Sequence, residues 1–489
     1  MRKMGRSFKS SLRRAFLNIY LWMMLPGMFL APAHQSASVT SQKPNVLFIA
    51  VDDLNDWVGC LGGNPDAKTP NIDRLAKRGL VFTNAECAAP ACVPSRSSLM
   101  TGKKPADTGL YSNPNGEFRR YADLKDLVTI PQYFSKNGYH TLGVGKVLHN
   151  PNKADYDVLN EIVYWRNPEP PGVDAEKPPR TKEEYLEWWK PVDVNVEDMT
   201  DWKMTRWAVE QLERKHDKPF FLACGIFRPH EPWNAPRKYY EKFPLDKITL
   251  PKVKKDDLED LGPGQRKPNP TVVKIMEDEL TWRKGVQAYL ANVNFADECV
   301  GMLLDALDAS PYKDNTIIML WSDHGWHLGE KFHWSKFTLW EESARCVLMC
   351  AAPGVKAGTR CDQPVSLLDM YPTLLEMCDL PAKAGQAGVS FLPQLKDPAR
   401  KRSEPAITAN EKGFSLRTER WRYIAYYDGS EELYDHDKDP MEWENLAGKP
   451  AYAEVRETLK AFVPKNPAPG RTPVKPPATK KQNDIKLPE

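Results

Sequence analysis

Three unbroken apolar stretches restrict this chain more than any other feature. Asn45-Val-Leu-Phe-Ile-Ala-Val51 ends in Asp52-Asp53, Pro219-Phe-Phe-Leu-Ala-Cys-Gly225 leads into Arg228-Pro-His230-Glu-Pro-Trp233, and Thr316-Ile-Ile-Met-Leu-Trp321 ends in Ser322-Asp323-His324-Gly325. A strand with one wet face alternates apolar and polar residues, so continuous runs of this length belong to strands buried on both faces. Around them, residues 70–78, 130–137, 205–215, 286–309 and 367–378 read as helices. Strands alternating with helices over hundreds of residues predict an α/β fold, a large central sheet sandwiched by helices. Each run turns polar only at its carboxyl end, where open α/β sheets place their ligands. One site assembled from distant segments is therefore expected.

The 489 residues exceed what one core usually serves, so a large domain with a smaller one attached is expected, over residues 43–400 and 401–463. From about Ser403 the pattern shifts to short runs, Ala406-Ile-Thr, Phe414-Ser-Leu-Arg417 and Trp421-Arg-Tyr-Ile-Ala-Tyr-Tyr427, which predict a small antiparallel sheet closed by a helix near 452–462. Residues 151–200 and 244–282, rich in Pro and charge, read as long excursions beside the site. The tail 464–489, with seven prolines and several lysines, reads as disordered.

At the other end, Arg2, Lys3, Arg6, Lys9, Arg13 and Arg14 precede an apolar run from about Ala15 to Leu30 and the small residues of Ala31-Pro32-Ala33. This is the pattern of a signal peptide over residues 1–33, and the apolar run is shorter than the ~20 residues a membrane span needs. Export to a periplasmic, secreted or lysosome-like compartment follows, without stable membrane association. The whole chain has 68 basic and 65 acidic side chains; removing the six basic residues of the leader leaves 62 against 65, a net of −3. A mature chain of that charge has no global basic excess for nucleic acid, so affinity for an anion must come from a local cluster. Nine cysteines are an odd number for an exported chain, which marks at least one as special.

Cys92-Val93-Pro94-Ser95-Arg96 supplies that cysteine. Pro94 suits the first turn of a helix, which puts residue 92 at an N-terminus, where free amides and the dipole favour negative charge; Arg96 adds a cation one turn on. Adjacent acids at a strand end, Asp52 and Asp53, repel each other unless a cation neutralises them, and Asp323-His324 ends another strand in the same way. Three carboxylates suit a hard ion such as calcium, for which a histidine ligand is unusual.

Cys92-x-Pro-Ser-Arg96 with the following Thr101-Gly102 resembles the signature of the sulfatases, whose fold is alkaline-phosphatase-like with a mixed central sheet. Asp369-Met-Tyr-Pro-Thr373 and Glu432-Leu-Tyr-Asp435 through Asn445-Leu446 resemble further elements of that family, and the likeness runs from about Lys43 to Leu446. It implies that the cysteine is oxidised to formylglycine by a formylglycine-generating enzyme, and that Asp52, Asp53, residue 92, Asp323 and His324 hold one calcium ion. It also implies roles for Lys146, His149, His230 and Lys336. Hydrated formylglycine would attack sulfur with one hydroxyl, His230 would protonate the departing alcohol, Lys146 and Lys336 would hold sulfate oxygens, and His149 would take the second hydroxyl's proton to release sulfate. Val144-Gly-Lys-Val-Leu-His149, Arg228-Pro-His-Glu-Pro232 and Ser322-Asp-His-Gly-Trp326 with Trp334-Ser-Lys336 look most like the iduronate-2-sulfatase branch, which implies a sulfated carbohydrate substrate with sulfate at a terminal uronate's 2 position. The alternatives are a sulfatase acting on another sulfated sugar or polysaccharide, or a phosphoester or phosphonate hydrolase of the same superfamily, the latter weighed down by Cys92 where such enzymes commonly carry Thr or Ser. His140, His216, His327, His333 and His436 read as ordinary structural histidines.

Overall fold

The alternation missing from the sequence is present in space: Leu47, Ile49 and Val51 join one buried cluster, while Val46, Phe48 and Ala50 join another on the opposite face. The strand they form, β1 (Asn45–Val51), is buried at all seven positions. In this computed structural model residues 43–150, 152–160 and 179–473 are described. The leader read over residues 1–33 and the tail beyond 473 lie outside them.

In chain order β1 is followed by β2 (Leu80–Glu86), β3 (His140–Gly145), β4 (Val158–Asn160), β5 (Phe220–Ile226) and β6 (Thr316–Ser322). A ribbon of β7 (His327–Leu328) and β8 (Trp334–Ser335) comes next, then β9 (Arg345–Ala351), β10 (Thr359–Cys361) and β11 (Val365–Ser366). Nine of these strands make the main sheet in the order β10-β2-β9-β6-β1-β5-β3-β4, with β11 beside β2. Only β9 runs antiparallel to its neighbours, so the sheet is mixed. The central strands β6, β1, β5 and β3 are parallel and in register: Val51 pairs with both Ser322 and Ile226, and Gly225 with Gly145. Their polar ends must therefore emerge together on one rim. Helices Thr200–Glu213 and Glu279–Ala309 bury their apolar residues in the cluster on one face; Cys92–Thr101, Ile130–Lys136 and Met370–Met377 pack on the other.

The small antiparallel sheet is β12 (Ala406–Asn410), β13 (Gly413–Arg417), β14 (Trp421–Tyr426) and β15 (Glu431–Asp435), closed by helix Ala453–Lys460. It is stitched to the main sheet where Ala409 N–H donates to the Ala88 carbonyl at 2.9 Å and Thr408 Oγ1 to that of Cys87 at 2.6 Å.

Three readings need correcting. The helices expected at 205–215 and 286–309 begin at Thr200 and Glu279, where Asp278 caps the second through Thr281 N–H. Both excursions carry helices: Lys182–Trp188 starts in a capping box between Thr181 and Glu184, and Pro270–Glu277 has Asn269 as cap and Val272 and Ile275 turned inward. The tail is not free from Pro464. Ala468 N–H donates to the Ala106 carbonyl at 2.7 Å, Arg471 N–H to that of Gly109 at 3.0 Å, and the Arg471 guanidinium pairs with Asp123. Composition near Pro464 describes a chain with little core of its own, but not one borrowing partners from residues 106–123. All nine cysteines are free thiols.

Candidate active site

The helix Cys92–Thr101 opens directly after the extended residue Ala91, and all ten of its residues are buried. Cys92 is its first residue. The N–H of Val93 is taken by Asn113 Oδ1 at 3.0 Å, and Pro94 has none to satisfy. The start of this helix faces the rim where the central strands end.

There the charges converge. Arg96 is fully buried and binds two strands at once, through Nη2 to Asp52 Oδ1 and Nε to Asp323 Oδ2, both at 2.8 Å. It also donates to the carbonyls of Lys146 and Val147. Lys146 follows the paired glycines: a Cβ on Gly145, whose φ is +73°, would lie 2.1 Å from the Gly225 carbonyl oxygen. Only glycine lets β3 turn there, and the turn aims the Lys146 ammonium at Asp52. Lys336 arrives just after β8, pairing with Asp53 and placing its Nζ 2.9 Å from Cys92 Sγ. Lys146 Nζ lies 3.8 Å from that sulfur.

Around this core, His324 Nδ1 meets the Gly325 carbonyl at 2.9 Å. A carbonyl only accepts, so Nδ1 carries the proton and Nε2 presents a lone pair. That lone pair faces Cys92 Sγ at 3.3 Å, Asp53 Oδ1 at 3.3 Å and Asp323 Oδ2 at 3.4 Å. An acceptor crowded by carboxylate oxygens needs a cation. Asp53 Oδ2 is buried without a hydrogen-bond partner, and Asp53 itself sits at φ +58°. The ligand atoms of Asp53, Cys92, Asp323 and His324 lie within 4.8 Å of one another, as do those of Asp52, Asp53, Cys92 and His230. The donor set fits a metal ion.

Electrostatics sort these groups. Burial opposes the charge of Asp52, but Lys146 and Arg96 outweigh it and hold its pKa well below the usual carboxylate range. Asp53 is pushed well above that range, because burial exceeds the help of Lys336 and the charges of Cys92 and Asp52 add to it. Burial raises the Cys92 thiol despite both lysines. Burial likewise disfavours a charged Lys336, yet Asp53 and Cys92 reverse this and raise it. His149 is driven down to about 3 by burial and Lys146, and its Nδ1 is buried without a partner. His230 is lowered by burial and the two lysines; its Nε2 lies 3.8 Å from Asp53 Oδ2, and its side chain is 23% exposed.

All ten residues singled out from the sequence thus gather on one rim, and the five histidines set aside do not join them. His327 meets Thr338, His333 the carbonyls of Lys331 and Arg266, and His436 Glu442. The sequence did not reveal Glu231, whose Oε1 accepts from the indole N–H groups of Trp189 at 3.1 Å and Trp334 at 3.4 Å beside His230. Burial pushes its carboxyl up to about 7. The richness in tryptophan was the one available hint.

Residues 44–380 match the family model described as Sulfatase, and 329–466 match one described as N-sulphoglucosamine sulphohydrolase, C-terminal. The chain belongs to the sulfatase family. A protein named sulfatase from Formosa agariphila is 39% identical over 445 residues, 87% of each chain. Human iduronate 2-sulfatase is 32% identical over 426 residues, 78% of this chain and 76% of its own. Two solved structures share the fold. One, bound to its substrate D-glucosamine-2-N,6-O-disulfate, has a TM-score of 0.69 at 21% identity over 86% of this chain and 97% of its own. The other, a 2-O GAG sulfatase, has a TM-score of 0.67 at 24% identity over 86% and 91%. This sulfatase is therefore an enzyme of the alkaline-phosphatase-like fold, as expected from its motifs. Among its described residues no helix is long and apolar enough to cross a membrane.

Proposed function

We propose that this sulfatase, exported after loss of its leader, removes the 2-O-sulfate from a uronate at the non-reducing end of a heparan- or dermatan-type chain, using a formylglycine made from Cys92. The observation that carries the chemistry is Cys92 at the head of a buried helix, 2.9 Å from Lys336 and 3.3 Å from His324, among three aspartates. Cys92 is 1% exposed, so a modifying enzyme would have to reach it before the chain closes. Its sulfur marks the place of the nucleophilic oxygen.

Asp52, Asp53, residue 92, Asp323 and His324 would hold a calcium ion, which supplies positive charge for the sulfate oxygens and for an ionised hydroxyl of residue 92. Arg96 fixes Asp52 and Asp323 from beneath, so these ligands are set before substrate arrives. Lys336 and Lys146 would neutralise the charge that develops on the transferring sulfate. His230 stays neutral in the free enzyme, its Nδ1 meeting the Glu231 carbonyl. A bound sulfate ester adds a negative charge beside it, favouring the imidazolium and so loading the proton that the departing alcohol takes at Nε2. His149, neutral with a pKa of about 3, would accept the proton of the second hydroxyl as sulfate leaves.

The uronate assignment rests on the likeness to human iduronate 2-sulfatase and on the matching segments at 144–149, 228–232, 322–326 and 334–336. Disaccharides sulfated at the uronate 2, glucosamine 6 or galactosamine 4 position test it. Release of sulfate from the first is expected; preference for either hexosamine sulfate would replace the uronate by another sulfated sugar and leave the family standing.

A further inference from the structure

The backbone around Lys336 is unusual. Ser335 and Phe337, on either side of it, have φ of +75° and +84°, in the left-handed region that residues with a Cβ avoid. Such a conformation persists only where its surroundings over-determine it, and three contacts do so here. Phe337 N–H donates to the Pro90 carbonyl at 3.0 Å, just ahead of Cys92. Asn410 Nδ2, at the end of β12, donates to the Phe337 carbonyl at 3.1 Å. Arg266 Nη1 donates to the carbonyl of Lys336 itself at 2.7 Å, while its guanidinium lies over the Phe337 ring at 4.9 Å.

Arg266 has no carboxylate in hydrogen-bond or ion-pair contact among the described residues; its fork is given to a main-chain oxygen and an aromatic face. It is itself held from both sides. His333 Nε2 meets the Arg266 carbonyl at 2.8 Å, Lys412 Nζ donates to the neighbouring Gln265 carbonyl at 2.9 Å, and Gly264 N–H donates to Ser430 Oγ at 3.3 Å. Lys412 and Ser430 belong to the turns of the small sheet. A continuous path thus runs from that sheet, through residues 264–266, to the backbone that aims Lys336 at residue 92.

We propose that Arg266 is a positioning residue of this sulfatase: it touches neither nucleophile nor substrate, and acts by fixing the Lys336 carbonyl so that the ammonium stays against residue 92. The small C-terminal sheet is then part of the catalytic apparatus rather than an appendage. The inference rests on the role given above to Lys336.

The test is a double-mutant cycle on formylglycine-bearing enzyme, assayed with whichever of the three defined disaccharides the wild type turns over. Arg266→Ala is expected to lower kcat roughly 10–100-fold, the penalty of a misplaced catalytic group, with KM moving less than about threefold. In a Lys336→Met background the same change should cost nothing further, and Arg266→Lys should recover part of the loss because an ammonium can still reach the carbonyl. A rise in KM at unchanged kcat would make Arg266 a substrate-binding residue, and equal losses in both backgrounds would make it structural; either overturns the proposal. If Lys336→Met alone has no effect, the role of Lys336 fails instead. Should Arg266→Ala fold poorly, Asn410→Ala, which frees the next carbonyl, must show the same non-additivity in smaller measure.

Discussion

Two clusters of buried charge can be set side by side. One is the rim of the candidate active site, with Asp52, Asp53 and Asp323 against Arg96, Lys146 and Lys336. The other lies where the small sheet meets the main one. There Arg422, fully buried, pairs with Glu86 at 3.0 Å, Glu442 at 2.7 Å and Glu341, while Arg417 reaches Glu341 at 3.1 Å and His436 reaches Glu442 at 3.0 Å. Glu341, His436 and Glu442 even bring their ligand atoms within 4.8 Å of one another, as Asp53, Cys92, Asp323 and His324 do. Yet the cations differ. Arginine forks have fixed geometry and stay charged, so the second cluster closes on itself: burial opposes the charge of Glu341, but Arg417 and Arg422 outweigh it and hold its pKa well below the usual range. The rim adds two lysines on flexible stems to Arg96 and turns a histidine lone pair toward carboxylates. Similar residue types make a lock in one place and an open coordination site in the other.

Removing one carboxylate should separate the two most sharply. Asp52→Ala or Asp323→Ala is expected to abolish turnover and calcium retention, since the remaining acids repel one another without an ion, and to cost stability as well because each strips Arg96 of a buried carboxylate. Glu341→Ala should leave calcium content intact and destabilise the fold alone, by about 3–5 kcal/mol, as breaking a buried ion pair does. Metal analysis and thermal unfolding on the same preparations decide the matter. Wild-type metal content in either aspartate variant would refute the ligand assignment.

Next in size is the chemistry of residue 92. Active enzyme from a host with the modifying enzyme should show the peptide of residue 92 about 18 mass units lighter than cysteine, sulfur having been replaced by aldehyde oxygen. An unmodified peptide from fully active protein would sink the mechanism. No such change is expected at Cys346 or Cys87, buried thiols that lie outside the Cys-x-Pro-Ser-Arg segment.

The same contrast explains what the sequence disclosed. β1, β5 and β6 are legible because burial on both faces erases alternation, Asp52, Asp53, His230, Asp323 and His324 because they follow such strands, and Arg96 because it follows Cys92 at helical spacing, whereas Lys146, His149 and Lys336 are legible only through the family resemblance. Parallel register then does the gathering without further information. Arg422, Glu86 and Glu341 left no local trace, since a lock of this kind joins residues 81 and 336 positions apart that each look like a surface charge. Glu231 and Arg266 were hidden for the same reason: their partners are the indoles of Trp189 and Trp334 and the carbonyl of Lys336. β15 was concealed differently, its residues having been read only as a family signature.

The smallest effect concerns pH and lies within the lock. Glu86 is fully buried and bonded to Arg422 through one oxygen, but its other oxygen has no partner, and Glu341 competes for the same guanidinium. Burial therefore wins over Arg422 and pushes its carboxyl from 4.5 up to about 7. Between those values the unfolded chain has released a proton that the folded chain retains, so the folded state binds more protons and stability falls as pH rises. The contribution is complete below about 4.5 and gone above about 7. Glu117 and Glu231, raised to about 7 by burial, act in the same direction. The carboxyls' share of wild-type stability, read by melting temperature, should therefore decline from pH 5 to pH 8, while the histidines that burial holds neutral, His149 and His333 among them, pull the other way over the lower part of that range. Glu86→Gln keeps an acceptor for Arg422 but cannot ionise, and should remove about 1–2 kcal/mol of that decline, less than the ideal linkage of the full shift because neighbouring charges readjust. An unchanged slope in the variant would mean that Glu86 is ionised throughout, and that Arg422 serves all three of its carboxylates equally.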